Sequence, residues 1–228
     1  MAMTLEPLKP FGVIAHGLDL AQGVDDATFA RSLAAFNEHA LIVFSTQGLD
    51  DDNQTDFSAR FGRLEGSLRE MRMFEDRPVR QEILDVSNVG ADGKLIPRTS
   101  KEAIPFVANE LWHSDFSFKP VPAMASLLHG RIVAPEGGQT EFADMRAAWE
   151  ALPDDRKALL DELAAFATQP QFVYRHTWQT GDLVAWDNRS TMHRVRPWDV
   201  MRYRRVMRRT TVAGAGPTVS EGRPTQFA

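Results

Sequence analysis

Between Ala123 and Ala213 the chain runs through five short segments, AMASLLHGRIVA, QTEFADM, QFVYRH, DLVAWDN and YRRVMRRTTVA, with turn residues such as PEGG between them. Short apolar and β-branched runs punctuated this way read as strands, and strands so closely spaced must bury their faces by stacking into two sheets or a barrel. Helical spacing lies mostly nearer the N-terminus. Asp26 to His39 puts Phe29, Leu33 and Phe36 on one face, with Asp25 or Asp26 as N-cap, and Asp50 to Phe61 begins acidic and ends at Gly62. A third helical stretch, Arg146 to Phe166, is broken at Pro153. LKPFGVIAHGLDL reads as strand and turn, LIVFS as a fully apolar strand, and EILDVSNV as another before the turn ADGK. Residues 64 to 82 are charged and weakly patterned, which predicts a mobile surface segment, and the tail from Gly214 is expected to fray. The whole predicts a mainly β fold with flanking helices: a double-stranded β-helix, a jelly-roll, cupin-like barrel, in a single domain over residues 1–228.

Composition narrows the chemistry. At 43% hydrophobic and 25% charged residues the chain falls in the ordinary globular class. No apolar run approaches the roughly 20 residues of a membrane span. MAMTLEPLKPFG lacks the basic region and apolar stretch of a signal peptide, so the expected location is cytoplasmic, with no membrane partner. The chain has no cysteine, which excludes disulfides, zinc–thiolate sites, iron–sulfur clusters and thiol nucleophiles. Any transition metal must be held by His and carboxylate. A formal net charge of −5 argues against a nucleic-acid partner.

Near the middle of the chain stands LWHSDFSF, Leu111 to Phe118. Read as a strand, it places Leu111, His113, Asp115 and Ser117 on one face. His113 and Asp115 then either bond each other in a core or converge on a metal. An HxD triplet alone is weak, since about half an HxD is expected by chance in a chain of this composition. A third ligand strengthens the metal reading. Among His16, His39, His129, His176 and His193, the last is singled out because it follows the strand and WDNRSTM and opens a run of arginines. Two His and one carboxylate on one face of ferrous iron leave the opposite positions open. The run HRVRPWDVMRYRRVMRRT holds seven arginines from Arg194 to Arg209. A solvated basic strand or a phosphate-backbone site are the alternatives, and the scarcity of interleaved aromatics disfavours the second. As a strand, it sets Arg204 and Arg208 on one face, and inward arginines in a barrel need anionic partners, most naturally carboxylates.

With GGQTEFADMRAAWEAL and GDLVAWDNRSTMHRVRPWD added to LWHSDFSF, the chain from Phe11 to about Ala213 resembles the iron(II)- and 2-oxoglutarate-dependent dioxygenases that include taurine and 2,4-dichlorophenoxyacetate dioxygenases. The resemblance implies that His113, Asp115 and His193 hold Fe(II). It implies that Thr140 and Arg204, eleven positions beyond His193, bind the cosubstrate 2-oxoglutarate. Arg208, four further on, would bind the acidic group of the primary substrate, with Asn109 a weaker candidate and Trp186, Asp187 and Asn188 as structural neighbours. The implied reaction uses O2 and 2-oxoglutarate to hydroxylate a small carboxylate, releasing succinate and CO2. The blocks look closest to the aryloxyacetate branch, in which a substrate such as 2,4-dichlorophenoxyacetate is cleaved to a phenol and glyoxylate. Alternatives are a taurine, alkylsulfonate or alkyl sulfate dioxygenase, or a noncatalytic barrel that binds metal and organic acid. A zinc hydrolase would leave Arg204 and Thr140 without a purpose. A homo-oligomer is expected, as is common among relatives. One departure stands out: relatives carry roughly fifty to sixty more residues before QFVYRH, long enough for a lid. A lid segment missing or deleted near residues 158–168 would leave the substrate pocket open on one side.

Overall fold

The computed structural model describes residues 3–66, 80–90, 92–153, 165–217, 219–220 and 223–224. Strands β1 (Thr4–Pro7) and β2 (Val13–His16) lead through helix α1 (Asp26–His39) to β3 (Leu41–Phe44). Helix α2 (Asp51–Ala59), β4 (Ile83–Ser87) and the short helix α3 (Ile104–Ala108) precede β5 (Ala123–Ile132). Then follow β6 (Thr140–Asp144), α4 (Met145–Ala151), β7 (Val173–His176), β8 (Leu183–Asp187), β9 (Thr191–Val195) and β10 (Val206–Ala213). Most of the segment expected to be mobile, residues 67–79 of 64–82, and residues 158–164 of the expected lid junction at 158–168 lie outside the described residues.

The strands form a seven-stranded sheet, β1-β2-β3-β8-β5-β10-β4, and a three-stranded sheet, β7-β6-β9. This is the mainly β jelly roll with flanking helices that the strand spacing predicts. Only β2 and β3 pair in parallel within these sheets, and α1 supplies the crossover that a parallel pair requires. The large sheet is covered on both faces, so LIVF is buried at every position rather than at alternate ones. Ile42, Phe44, Leu183 and Ala185 pack towards the helices, while Leu41, Val43, Val184 and Trp186 join Phe142 of the small sheet in the barrel interior. On the helical side Phe29, Phe36, Phe44, Phe57 and Phe61 meet edge to face, with ring centroids 5.1 to 6.1 Å apart. Asp25 caps α1 by accepting from the Thr28 N–H, and Asp50 caps α2 by accepting from Asn53 N–H.

Two local expectations are corrected. LWHSDFSF is not a strand: His113 alone pairs, in an isolated bridge to His193, and Asp115 to Phe118 form a turn with Phe116 at φ 52°. Side-chain bonds replace the ladder here, because Ser114 Oγ donates to the Thr191 carbonyl at 2.8 Å and the Asp115 N–H donates to Asn188 Oδ1 at 3.3 Å. His193 does not merely follow a strand; TMHRV is itself β9, alternating buried and half-buried residues with His193 facing inward.

Candidate metal and cosubstrate site

The bridge between chain segments sets the centre. His113 N–H donates to the His193 carbonyl at 3.1 Å and His193 N–H to the His113 carbonyl at 2.9 Å, which holds the two imidazoles 4.2 Å apart. The turn after His113 swings the Asp115 carboxylate to 3.8 Å from His193 Nε2. One ligand atom from each of His113, Asp115 and His193 lies within 4.8 Å of the others.

Neighbouring groups orient all three. His113 Nδ1 donates to the Leu111 carbonyl at 2.8 Å, which leaves Nε2 as the nitrogen with a free lone pair. The His193 ring sits against Trp186, at 4.6 Å between centroids, and near Phe142. Burial pushes the His193 imidazole down to about 3, so it is neutral and able to ligate a metal at physiological pH. Burial also opposes ionisation of Asp115, but Arg209, His193 and the Ser126 hydroxyl outweigh it and hold the carboxyl below the usual range. Arg209 Nη1 donates to Asp115 Oδ1 at 2.5 Å, and Ser126 Oγ donates to Oδ2 at 2.7 Å. Asn188 ties this together: it accepts from Trp186 Nε1 at 2.9 Å and donates through Nδ2 to Ser126 Oγ at 3.0 Å. Ser126→Ala breaks that chain at its middle. Its metal dissociation constant is expected to rise by about ten- to a hundredfold, measured by competition with a chelator.

A cleft of about 510 Å³ of empty space, counting its open mouth, lies beside the triad. Its walls include His113, Thr140, His193, Asn109, Arg205 and Arg209. Thr140 opens β6, and Asn109, just past α3, accepts the Val195 N–H at 2.8 Å through its carbonyl.

The arginines stand one residue away from where spacing put them. Arg204 is exposed and donates to the Gly93 carbonyl at 3.0 Å. Arg208 lies on the helical side of the sheet, ion-paired with Asp85 at 2.5 Å and 3.8 Å from Asp51 at the start of α2. Arg205 and Arg209 face the cleft, with the fully buried Met207 between them. Side chains alternate along this stretch, so a set of i and i+4 arginines exists on either face. The pairing of Met207 with Gly130 and Arg209 with Leu128 on β5 selects the odd-numbered set for the interior.

Arg205 has no ion-pair partner among the described residues. Its Nε donates to the Gly138 carbonyl at 3.2 Å, its guanidinium lies over Trp198, and burial pushes it down to about 10. Trp198 Nε1 is also buried without an acceptor among the described residues. The two glycines of GGQT make the arrangement sterically possible. A Cβ on Gly137, at φ 73°, would come within 2.7 Å of the Pro197 carbonyl oxygen, and one on Gly138, at φ 66°, within 3.2 Å of the Arg205 side chain.

Known proteins resemble this chain along its length. The family described as taurine catabolism dioxygenase TauD, TfdA family, matches residues 4–163 and 155–211. The alpha-ketoglutarate-dependent 2,4-dichlorophenoxyacetate dioxygenase of Cupriavidus pinatubonensis is 31% identical over 285 aligned positions, covering 94% of this chain and 99% of that protein. The enzyme of the same name from a Burkholderia species is 34% identical, over 77% of this chain and 82% of its own. Among solved structures, AAD-2 in complex with Mn(II) and N-oxalylglycine superposes with a TM-score of 0.86 at 33% identity, covering 97% of this chain and 100% of that one.

Proposed function

Because the chain belongs to the TauD, TfdA family of dioxygenases, we propose that this 2-oxoglutarate-dependent enzyme uses Fe(II) and O2 to hydroxylate an aryloxyacetate of the 2,4-dichlorophenoxyacetate type. The observation that carries the reading is Arg205, a buried guanidinium in the cleft beside the triad with no carboxylate paired to it among the described residues. A buried unpaired cation is costly, and a dicarboxylate cosubstrate removes that cost. N-oxalylglycine, the compound in the AAD-2 structure, likewise carries a carboxylate at each end.

The residues fit the groups assigned to them. His113, Asp115 and His193 supply two imidazole nitrogens and one carboxylate oxygen, a donor set suited to non-haem Fe(II). Bound there with 2-oxoglutarate, the metal supplies the O2 chemistry that couples release of succinate and CO2 to insertion of one oxygen into the substrate. Arg205 takes the distal carboxylate of 2-oxoglutarate, with Thr140 beside it, in place of the expected Arg204. Arg209 takes over the part expected of Arg208. One Nη holds Asp115 in position, and its Nε, buried without a partner among the described residues, is left for the carboxylate of the primary substrate. Asn109 lies on the wall of the same cleft as a further contact. Oxygen insertion at the carbon between ether oxygen and carboxylate gives a hemiacetal, which collapses to a phenol and glyoxylate.

The aligned length of 285 positions exceeds the 228 residues of this chain, and the family match divides into two stretches overlapping at 155–163. Both support a single dioxygenase domain whose lid segment is shortened near residues 158–168. Incubation with Fe(II), 2-oxoglutarate, ascorbate and 2,4-dichlorophenoxyacetate in air is expected to yield 2,4-dichlorophenol, glyoxylate and succinate in equal amounts. Faster succinate release with taurine or an alkyl sulfate would overturn the substrate reading. Absence of succinate with every compound would point to the noncatalytic barrel.

A further inference from the structure

The Thr140 hydroxyl has a second neighbour that fixes which way its proton goes. Trp178 Nε1 donates to Thr140 Oγ1 at 3.0 Å, both residues being buried. An indole N–H donates and never accepts. The Thr140 oxygen is therefore the acceptor in this bond, and its own hydrogen cannot be spent on Trp178. We infer that Trp178 is a positioning residue for the cosubstrate: it polarises the Thr140 hydroxyl so that its hydrogen is presented to a carboxylate in the cleft. This rests on the reading of the cleft as the 2-oxoglutarate site.

The surroundings of Trp178 hold it in that pose. The N–H of the next residue, Gln179, donates to Asp182 Oδ2 at 2.9 Å, and Thr46 N–H donates to Asp182 Oδ1 at 3.1 Å. Buried His176 donates from Nε2 to Asp182 Oδ2 at 3.0 Å, and its ring stands edge-on to Trp178 at 4.7 Å between centroids. Tyr174 hydroxyl lies 3.3 Å from His176 Nδ1 and completes that nitrogen as its donor. On the opposite side Gly130 leaves room, since a Cβ there would come to 3.3 Å from Trp178 Cε3. A buried carboxylate thus anchors the backbone beside Trp178 and the imidazole against its ring, while the indole N–H reaches Thr140. The hydrogen-bond chain itself runs from the Trp178 N–H to the Thr140 oxygen and on through the Thr140 hydrogen, and accepting the first bond strengthens the hydroxyl as a donor in the second.

The test is a double-mutant cycle on the Mn(II)-loaded protein, which binds without turnover. The dissociation constant of 2-oxoglutarate is measured by calorimetry for wild type, Trp178→Phe, Thr140→Val and the double variant, with Mn(II) affinity followed in parallel. Trp178→Phe is expected to weaken 2-oxoglutarate about five- to tenfold, to leave Mn(II) affinity within about twofold, and to have almost no further effect once Thr140 is Val. Equal weakening by Trp178→Phe in both backgrounds, or none in either, overturns the inference. No 2-oxoglutarate heat in wild type instead overturns the cosubstrate reading beneath it. Should Trp178→Phe fail to fold, the Trp178 indole N–H resonance in ¹⁵N-labelled protein decides. It must move downfield when 2-oxoglutarate is added to wild type and stay unmoved in Thr140→Val; a resonance indifferent to 2-oxoglutarate in wild type overturns the inference.

Discussion

Arg205→Met is expected to raise the dissociation constant of 2-oxoglutarate by about two to three orders of magnitude, while Arg204→Met changes it by less than about twofold. The contrast follows from the alternation of side chains into β10. Among the described residues, Arg205 is buried in the cleft with no carboxylate paired to it, whereas Arg204 is exposed and bonded to the Gly93 carbonyl. Burial of an unpaired guanidinium works against folding, so the ligand-free Arg205→Met protein is expected to melt no lower than wild type. A residue that is indispensable for binding yet dispensable for stability is the signature of a ligand contact rather than a core ion pair. Titration of both variants with 2-oxoglutarate checks this, and a large effect at Arg204 with none at Arg205 would restore the assignment by spacing.

Asp115→Ala is expected to do two kinds of damage at once. Metal affinity falls by more than about a hundredfold, since loss of a ligand exceeds the loss of its supporting partner. Arg209, itself buried, also loses its counter-ion, which is expected to lower unfolding stability by about 3–5 kcal/mol. His193→Ala leaves no charge stranded and is expected to lose metal binding with a smaller loss of stability. Equilibrium unfolding in urea, run beside a chelator competition for both variants, separates the two effects. Equal stability losses would mean that the Arg209–Asp115 pair contributes nothing.

The strands that build the barrel were legible because each is a short apolar run bounded by turn residues, and α1 because its N-cap and phenylalanine face are local signals. The triad was legible from its chemistry: a chain without cysteine has only imidazole and carboxylate to offer, and His113, Asp115 and His193 were the grouping the residues and the resemblance both indicated. Three features were not legible, because each depends on partners distant in sequence. LWHSDFSF alternates like a strand but bends at Phe116, because bonds to Thr191 and Asn188, distant in sequence, take the place of a ladder. Arg204 with Arg208 and Arg205 with Arg209 have identical spacing, so period alone cannot choose between them. The choice is made by the register against β5 and by Asp85 and Asp51, which satisfy Arg208 on the other face. The Trp178–Thr140 bond spans 38 residues and leaves no local trace in the sequence.

The central claim is that one cleft holds metal and 2-oxoglutarate together, on His113, Asp115, His193 and Arg205. It is tested most directly by adding Fe(II) and then 2-oxoglutarate to the protein without oxygen and recording the visible spectrum. A weak charge-transfer band that appears only after 2-oxoglutarate, is lost in His193→Ala and needs far more 2-oxoglutarate in Arg205→Met is the predicted result. A wild-type protein that binds Fe(II) yet develops no band at any 2-oxoglutarate concentration would contradict it.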